Sequence, residues 1–269
     1  MGETYPPRQR HWLACDPQIA ADAIANIAAA DRCILVLFTP RSGSSWLTKI
    51  VSATRQLGFL EEYINPDFIH DVARTMHAND PATLLPMLKR WARTENGVFS
   101  IEARAIDIGL FGETVFFETL GNAVVFFVWR DNIVAQGISL YRAVATNRYH
   151  STDAPAAMPD YDAEKITQWM RHIVTIENEN LTLMRHRGLR ARFLRYEDMV
   201  HDRETVLAII ADSLRVDLTE EHLAASKEKE PSKIADHWSS DAEHRFRDEQ
   251  RDFVRDLEAQ RLIRVGVGF

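Results

Sequence analysis

The stretch that most constrains this chain is the run CILVLFTPRSGSSWL, from Cys33 to Leu47. Its first part, CILVLFT at residues 33–39, is a continuous apolar run with the length of a strand buried on both faces of a parallel sheet. Apolar residues then recur at helical spacing from Trp46, and we expect this helix to end at Gly58. The sequence therefore predicts a strand, a glycine-containing turn and a helix in direct succession.

Further apolar runs have the length and composition of strands, and helical patterns separate them. The strand runs cover residues 97–103, 122–129 and 191–197, and the helical patterns cover about 84–93, 132–149, 163–186 and 203–214. Strands that alternate with helices predict an α/β fold of three layers, in which helices flank a central parallel sheet. Ligands of such sheets bind beyond the carboxyl ends of the strands.

The length and charge of the chain restrict the classes of function. A chain of 269 residues with 46% hydrophobic content fits one large domain, which we predict to cover residues 1–269. Within it, residues 1–32 are predicted as a helical extension and residues 241–269 as a charged amphipathic tail. The net charge of -7 argues against a general nucleic-acid surface or a polybasic membrane anchor, so any anion site must be local.

The composition also bears on compartment and metal binding. The N-terminal residues lack a secretion signal, and no apolar window is long enough to span a membrane, so we expect a cytoplasmic protein. The two cysteines, Cys15 and Cys33, match no metal or redox spacing. The ten histidines form no group with metal-ligand spacing, and the sequence therefore predicts no metal site.

Segments outside the predicted sheet leave alternatives open. Residues 144–162 are rich in Ala, Pro, Ser and Asp without an apolar period, which indicates a loop that is either a lid or a passive connection. The tail carries Phe246, Phe253 and Leu257 on one side, which suits packing on its own domain or a dimer contact. Glu177 lies on the apolar stripe of a long helical pattern, where it is either structurally paired or part of an acceptor site.

The turn after the first strand has the makings of an anion site. A turn that contains Gly43 can aim backbone N–H groups at one point, and the helix that follows adds a partial positive charge. Arg41 adds a full charge, and three hydroxyl donors are available in Ser42, Ser44 and Ser45. A serine-capped helix beside a surface arginine remains the alternative for this turn alone.

The turn differs from a nucleoside-triphosphate loop in its charges. It lacks the lysine of the GxxxxGK[ST] motif, and the later strand VVFFVW is followed by Arg130 rather than by a magnesium-binding aspartate. A sulfuryl group carries one formal negative charge where a phosphoryl group carries two. Arginine, hydroxyl and N–H groups can stabilise its transfer without a metal, so these residues predict a phosphosulfate ligand.

Four motifs in order give the chain a family resemblance: PRSGSSW, EEYINP, WRDNIVAQGISLYRAVAT and RYEDM. With them the chain resembles the sulfotransferases that use 3'-phosphoadenosine 5'-phosphosulfate, and most closely the bacterial trehalose 2-sulfotransferase-like (Stf0) family. The resemblance spans residues 33–214, and a weaker match at PSKIADHW extends it to about 250. It implies a P-loop-like fold, transfer of sulfuryl to an acceptor hydroxyl, and a homodimer.

The resemblance also implies donor-binding residues. The loop that binds the 5'-phosphosulfate consists of Arg41, Ser42, Gly43, Ser44, Ser45 and Trp46. Arg41 stands where related cytosolic enzymes have the lysine that neutralises the bridging and leaving oxygens. Arg130 and Ser139 match the pair that holds the 3'-phosphate, and a strand end followed by a helix can bring both to one dianion. A surface arginine and a helix serine are the alternative without the other motifs.

Two further residues match donor-binding positions of the family. Tyr196, in RYEDM, resembles a tyrosine near the adenine, although a core tyrosine with a hydrogen-bonded tip fits the same pattern. Lys233 falls where a basic residue touches the 3'-phosphate in relatives.

The acceptor side rests on three residues. The acceptor hydroxyl must lose a proton during attack on sulfur, and the resemblance assigns the general base to Glu62, which could otherwise be a solvated glutamate. Glu102 stands where close relatives tend to carry a lysine, so it either contacts a different acceptor or replaces part of the catalytic electrostatics. Phe59 stands where the trehalose-specific enzyme has a polar residue. We therefore expect a saccharide or glycolipid-precursor acceptor, with trehalose itself in doubt.

Other classes of function stay open at this point. One is a kinase-like phosphotransferase with a degenerate P-loop, which predicts binding of ATP with Mg²⁺. Another is a nucleotide-binding module without catalysis, in which Glu62 has a structural role.

Overall fold

Four parallel strands form the central sheet. The computed structural model describes residues 29–149, 157–227 and 237–266. In these ranges the strands are β1 (Arg32–Phe38), β2 (Val98–Ala103), β3 (Val124–Trp129) and β4 (Ala191–Arg195), in the order β2-β1-β3-β4. Because the strands are parallel, their carboxyl ends lie along one edge. The predicted α/β fold with a central parallel sheet is confirmed.

Helices connect and cover the strands. In chain order they are α1 (Ser44–Ala53), α2 (Ile69–Thr75), α3 (Pro81–Trp91), α4 (Ala105–Phe111), α5 (Glu113–Leu120), α6 (Ile133–Thr146), α7 (Ala163–Arg187), α8 (Tyr196–His201), α9 (Arg203–Leu214), α10 (Glu220–Lys227), α11 (His237–Glu249) and α12 (Arg251–Gly266). Among the helices of the described ranges, none is long and apolar enough to cross a membrane.

Both faces of β1 are buried, as its continuous apolar run predicts. Successive strand side chains point to opposite faces, so Leu35 and Leu37 pack with residues of α3 and α7, including Leu85 and Met184. The opposite face of the strand packs against α1 and α9. A third group of buried residues, the α6–α7 cluster, joins α6 and α7 to α11 and α12.

The first helix ends earlier than its apolar pattern predicts. It ends at Ala53, because the Thr54 hydroxyl donates to the Val51 carbonyl at 2.7 Å and Arg55, with φ of 52°, turns the chain away. The predicted end at Gly58 was therefore wrong. Gly58 instead lies against β2 with φ of 86°, where a Cβ would come within 2.7 Å of the backbone nitrogen of Ser100.

The strand predicted for residues 191–197 was too long by two residues. Arg195 is the last residue of β4, and Tyr196 begins α8. Glu197 and Asp198 occupy the first turn of this helix, where negative charge stabilises a helix N-terminus. The side chain of Arg195 also bonds Asp198 at 2.5 and 3.0 Å, which fixes the junction.

The terminal and loop predictions are partly outside the described ranges. Residues 29–31 contain no helix and Arg32 begins β1, and the rest of the helical extension predicted for residues 1–32 lies outside the described residues. Residues 144–146 belong to α6 rather than to a loop, and residues 150–156 are not described. The tail forms two helices instead of one, and Phe246 and Leu257 are buried in the α6–α7 cluster of this chain.

Candidate active site

The loop between β1 and α1 has an unusual backbone. Arg41 has φ of 63° and Gly43 has φ of 94°, both in the left-handed region. The backbone N–H and the hydroxyl of Ser42 both donate to the Thr39 carbonyl, at 3.2 and 2.7 Å. Ser42 is fully buried, so its hydroxyl shapes the turn from the inside.

The same loop delivers the N-terminus of α1 to the edge of the sheet. Gly43 is the N-cap residue, and no side chain caps this helix end within the described ranges. The carbonyl of Gly43 accepts the N–H groups of Trp46 and Leu47, each at 3.0 Å. An uncapped helix N-terminus beside a tight turn is a ready-made site for an anion.

Tyr196 connects this loop to the ends of β3 and β4. A Cβ added to Gly43 would lie 2.5 Å from Cδ2 of Tyr196, so only glycine fits beneath the ring. The guanidinium carbon of Arg130 lies 4.6 Å from the centroid of the same ring, in cation–π geometry. One ring thus brings together residues that follow β1, β3 and β4.

Arg130 is half-buried and has no carboxylate partner among the described residues. Its Nε is enclosed there without a hydrogen-bond acceptor. By contrast, the neighbouring Arg195 bonds Asp131 at 2.8 Å and also bonds Asp198, whose pKa it lowers below the ordinary value. Since partial burial of an unpaired cation is unfavourable, the site is suited to an anionic ligand.

Arg41 reaches across the loop to α6. Its Nε donates to the hydroxyl of Ser139 at 2.9 Å, and a terminal nitrogen donates to the carbonyl of Tyr149 at 2.7 Å. Arg41, predicted at the 5'-phosphosulfate, therefore directly contacts Ser139, predicted at the 3'-phosphate. Ser44 is buried beside this loop, whereas Ser45 is exposed.

Glu62 lies in the segment that connects α1 to α2. Its carboxylate accepts a hydrogen bond from Nδ2 of Asn65 at 2.5 Å and is half-buried. The segment joins the sheet through the N–H of Glu102, which donates to the carbonyl of Glu61 at 3.0 Å. This bond brings the predicted base to the end of β2, the strand beside β1.

Glu102 and Phe59 have contrasting environments near this segment. Glu102 is 2% exposed and accepts a hydrogen bond from the hydroxyl of Thr48, on α1, at 3.0 Å. Phe59 is 37% exposed, while its carbonyl accepts a hydrogen bond from Tyr63 at 2.7 Å. The enclosed carboxylate favours the electrostatic alternative for Glu102 over direct contact with an acceptor.

Comparison with known proteins decides the family. The model of the Stf0 sulphotransferase family matches residues 33–249, which is most of the chain. This chain belongs to the Stf0 sulphotransferase family. The predicted family and the predicted sulfotransferase class of enzyme are thereby confirmed.

Solved structures of sulfotransferases are similar to this one in fold. STF9 from Mycobacterium avium has a TM-score of 0.51 and 13% sequence identity, over 86% of this chain and 79% of that chain. STF1 from Mycobacterium tuberculosis H37Rv has a TM-score of 0.45 and 14% identity, over 84% and 78%. Mouse SULT7A1, solved in complex with PAP, has a TM-score of 0.45 and 12% identity, over 78% and 68%. No curated protein matches.

Two buried polar residues of this sulfotransferase support the loop and were missed in the sequence. Gln136, on α6, is fully buried, and its Nε2 donates to the hydroxyl of Thr39 at 3.0 Å and to the carbonyl of Pro40 at 2.7 Å. Asn180, on α7, is also fully buried and donates to the carbonyl of Phe38 at 2.9 Å. The only available signal was a polar residue on a helix face that is otherwise apolar.

Two further predictions concern Lys233 and metal binding. Lys233 lies outside the described residues. Within the described ranges, no three His, Cys, Asp or Glu side chains are grouped so as to hold a metal ion.

Proposed function

We propose that this sulfotransferase transfers the sulfuryl group of 3'-phosphoadenosine 5'-phosphosulfate to an acceptor hydroxyl. The observation that carries the proposal is the Tyr196 ring, which contacts both the loop at Gly43 and the guanidinium of Arg130. An uncapped helix end and a cation without a described carboxylate partner lie next to one aromatic ring. A nucleotide with phosphates at both ends of its ribose matches this arrangement.

Different residues at the carboxyl edge of the sheet bind different parts of the donor. Residues 41–46 bind the 5'-phosphosulfate through backbone N–H groups, the helix N-terminus and the charge of Arg41. Arg130 and Ser139 hold the 3'-phosphate, and Tyr196 lies against the adenosine. The hydrogen bond from Arg41 to Ser139 supports a continuous line of donors from one phosphate to the other. Lys233 joins this set by its motif position alone.

In the transfer step, the acceptor oxygen forms a bond to sulfur while the bond from sulfur to the bridging oxygen breaks. Glu62 takes the proton of the acceptor hydroxyl, as a general base must. The negative charge that develops on the leaving phosphate oxygen is stabilised by Arg41 and the loop N–H groups. These fixed positive groups supply the charge stabilisation that a phosphoryl-transfer enzyme draws from its metal.

Glu102 acts beneath this centre rather than at the acceptor. Its carboxylate is enclosed and bonded to Thr48 on α1, the helix whose N-terminus faces the donor. A buried carboxyl group of β2 that is bonded to this helix contributes to the electrostatic field around the reacting groups.

The acceptor is a saccharide or glycolipid precursor. The segment that carries Glu62 also exposes the ring of Phe59, which suits an acceptor with a hydroxyl beside an apolar surface. We extend the proposal to a cytoplasmic enzyme, as the composition of the chain predicts, that acts as a homodimer, as the motif resemblance implies.

The first test is thermal stability in the presence of nucleotides. A ligand that binds only the folded state raises the melting temperature according to its concentration over its Kd. We expect adenosine 3',5'-bisphosphate to raise the melting temperature of this protein, and ATP with Mg²⁺ to leave it unchanged. A rise with ATP and Mg²⁺ alone would replace the proposal by the kinase-like alternative.

The second test is transfer itself. Incubation with 3'-phosphoadenosine 5'-[³⁵S]phosphosulfate and a panel of saccharides and glycolipid precursors should label at least one acceptor. Bisphosphate binding without transfer to any member of a broad panel would favour a non-catalytic nucleotide-binding module.

A further inference from the structure

The turn that carries Arg130 is held from several sides. It connects β3 to α6 and comprises residues 130–132. The N–H groups of Asp131 and Asn132 donate to the carboxylate of Glu197, at 3.1 and 3.4 Å. The carbonyls of Arg130 and Asp131 accept hydrogen bonds from the guanidinium of Arg261, at 2.7 and 3.0 Å. Charged side chains therefore hold both the N–H groups and the carbonyls of this turn.

Arg261 lies on α12 and is itself oriented by Glu177 of α7. Its Nε and one terminal nitrogen donate to the two carboxylate oxygens of Glu177, at 2.9 and 2.6 Å. The guanidinium also lies 5.3 Å from the centroid of the Trp129 ring, and Arg261 is 3% exposed. A planar fork of this kind fixes direction as well as charge, which a lysine ammonium cannot do. Glu177 is thus structurally paired.

Helix α11 holds the same turn through Asn132. The Asn132 amide donates to Glu243 at 2.7 Å, and its oxygen accepts from Arg247 at 2.9 Å. The two C-terminal helices therefore close over the turn. The family model ends at residue 249, so Arg261 lies beyond the matched region.

A buried ion pair adds little net stability, because desolvation of the two charges offsets their attraction. What the pair of Arg261 and Glu177 supplies is the position of two backbone carbonyls. The Arg130 guanidinium has no hydrogen-bond acceptor among the described residues, so its direction depends on this backbone and on the Tyr196 ring.

We propose that Arg261, oriented by Glu177, is a positioning residue that aims Arg130 at the 3'-phosphate of the donor. Helix α12 thereby helps to set the preference of the site for 3'-phosphorylated nucleotides. This inference rests on the proposed function, in which Arg130 binds the 3'-phosphate.

The test measures 3'-phosphate preference, defined as the Kd of adenosine 5'-phosphate divided by the Kd of adenosine 3',5'-bisphosphate, by calorimetry. The main variant replaces both Glu177 and Arg261 by methionine, which fills the space without a buried unpaired charge. We expect it to fold, and we expect the preference to fall about tenfold or more, as for the loss of a charge-assisted hydrogen bond. The KM of the donor should rise in parallel, with a smaller change in kcat.

The matched control is Leu257→Ala, which removes a buried apolar side chain from the same helix without touching the turn. It should lower the melting temperature and leave the preference unchanged. A structural role for Arg261 would instead weaken both nucleotides equally in the double variant. An unchanged preference in that folded variant would overturn the inference.

Two further variants, Arg261→Lys and Arg130→Ala, cover a double variant that does not fold and an error in the underlying assignment of Arg130. If the double variant does not fold, Arg261→Lys keeps the charge beside Glu177 but loses the fork, and it should lower the preference; an unchanged value would overturn the inference. Arg130→Ala tests the underlying assignment. If the wild-type protein shows no 3'-phosphate preference, the proposed donor site is wrong. If Arg130→Ala loses the preference while the Arg261 variants keep it, only the role proposed for Arg261 is wrong.

Discussion

The residues proposed to bind the donor are held by hydrogen bonds to residues distant in sequence, whereas the described hydrogen bond of the Glu62 carboxylate comes from a near neighbour. Arg41 bonds Ser139, which is 98 positions away, and Gln136 bonds the Pro40 carbonyl over 96 positions. Among the described contacts, the Glu62 carboxylate accepts a hydrogen bond from Asn65, three positions away. The residues proposed to bind the donor are thus joined by side-chain hydrogen bonds across the fold, whereas the described bond of the Glu62 carboxylate lies within its own segment, whose neighbouring side chains Tyr63 and Ile64 are buried in the core.

Under the proposed function, the difference separates two requirements of the enzyme. A doubly phosphorylated nucleotide needs several charges held at fixed separations, which buried side chains on different helices and strands provide. An acceptor needs one base and a surface whose shape can differ between enzymes, which a segment at the rim provides. Substitutions on the two sides should therefore act on different kinetic constants.

The largest expected effect comes from the acceptor side. Glu62→Gln removes the proposed base but keeps the size and the acceptor oxygen of the side chain. We expect kcat to fall by about 10²- to 10⁴-fold while the Kd of adenosine 3',5'-bisphosphate stays the same. The matched control is Glu61→Gln, at the adjacent position. A kcat of Glu62→Gln within a few-fold of the wild-type value would exclude Glu62 as the base.

The next effect belongs to the donor side. Arg130→Ala should weaken adenosine 3',5'-bisphosphate by about 10- to 100-fold and leave adenosine 5'-phosphate unchanged, since charge-assisted hydrogen bonds contribute about 1.5–3 kcal/mol. Arg195→Ala is the control, because that arginine follows the adjacent strand but is already paired with Asp131 and Asp198. Equal losses for both nucleotides would show that Arg130 supports the fold rather than the 3'-phosphate.

Gly43→Ala tests the junction between loop and ring. The backbone φ of 94° and the contact with the Tyr196 ring both disfavour a side chain here, so we expect the free energy of unfolding to fall by about 1–3 kcal/mol. Gly188→Ala is the control, because its φ is 61° and a Cβ there would meet nothing within 4 Å. Chemical denaturation measures both variants. Equal losses would mean that the ring shifts without cost.

The placement of the proposed donor-site residues at one edge of the sheet was largely predictable from the sequence, because these residues follow predicted strands. Arg41 and Gly43 follow β1 directly, Arg130 follows β3 and Tyr196 follows β4. Parallel strands place such residues at one edge whatever the details of packing. The contact of Tyr196 with both Gly43 and Arg130 is a consequence of that topology.

The residues that sequence reasoning missed act through tertiary contacts. Gln136 and Asn180 project from helices onto the end of β1, and no local pattern shows which backbone carbonyl a buried amide will meet. The early end of α1 was also unpredictable from local sequence, because Arg55 adopts a left-handed conformation that arginine rarely prefers. Short helices such as α2 and α4, with seven residues each, offer too few turns for a readable period.

The smallest expected effect tests how local the acceptor side is. Asn65 donates to Glu62 through Nδ2, while its oxygen accepts the N–H of Asp67 at 3.0 Å. Asn65→Asp keeps that acceptor oxygen but replaces the donor by a carboxylate that repels Glu62, so the Asp67 N–H bond should persist while Glu62 is displaced. We expect kcat to fall at least about fivefold, because the loss of one hydrogen bond of about 1 kcal/mol adds to this repulsion, with donor affinity unchanged. If kcat of Asn65→Asp stays at the wild-type value, Glu62 is oriented by the core, and the contrast between the two sides disappears.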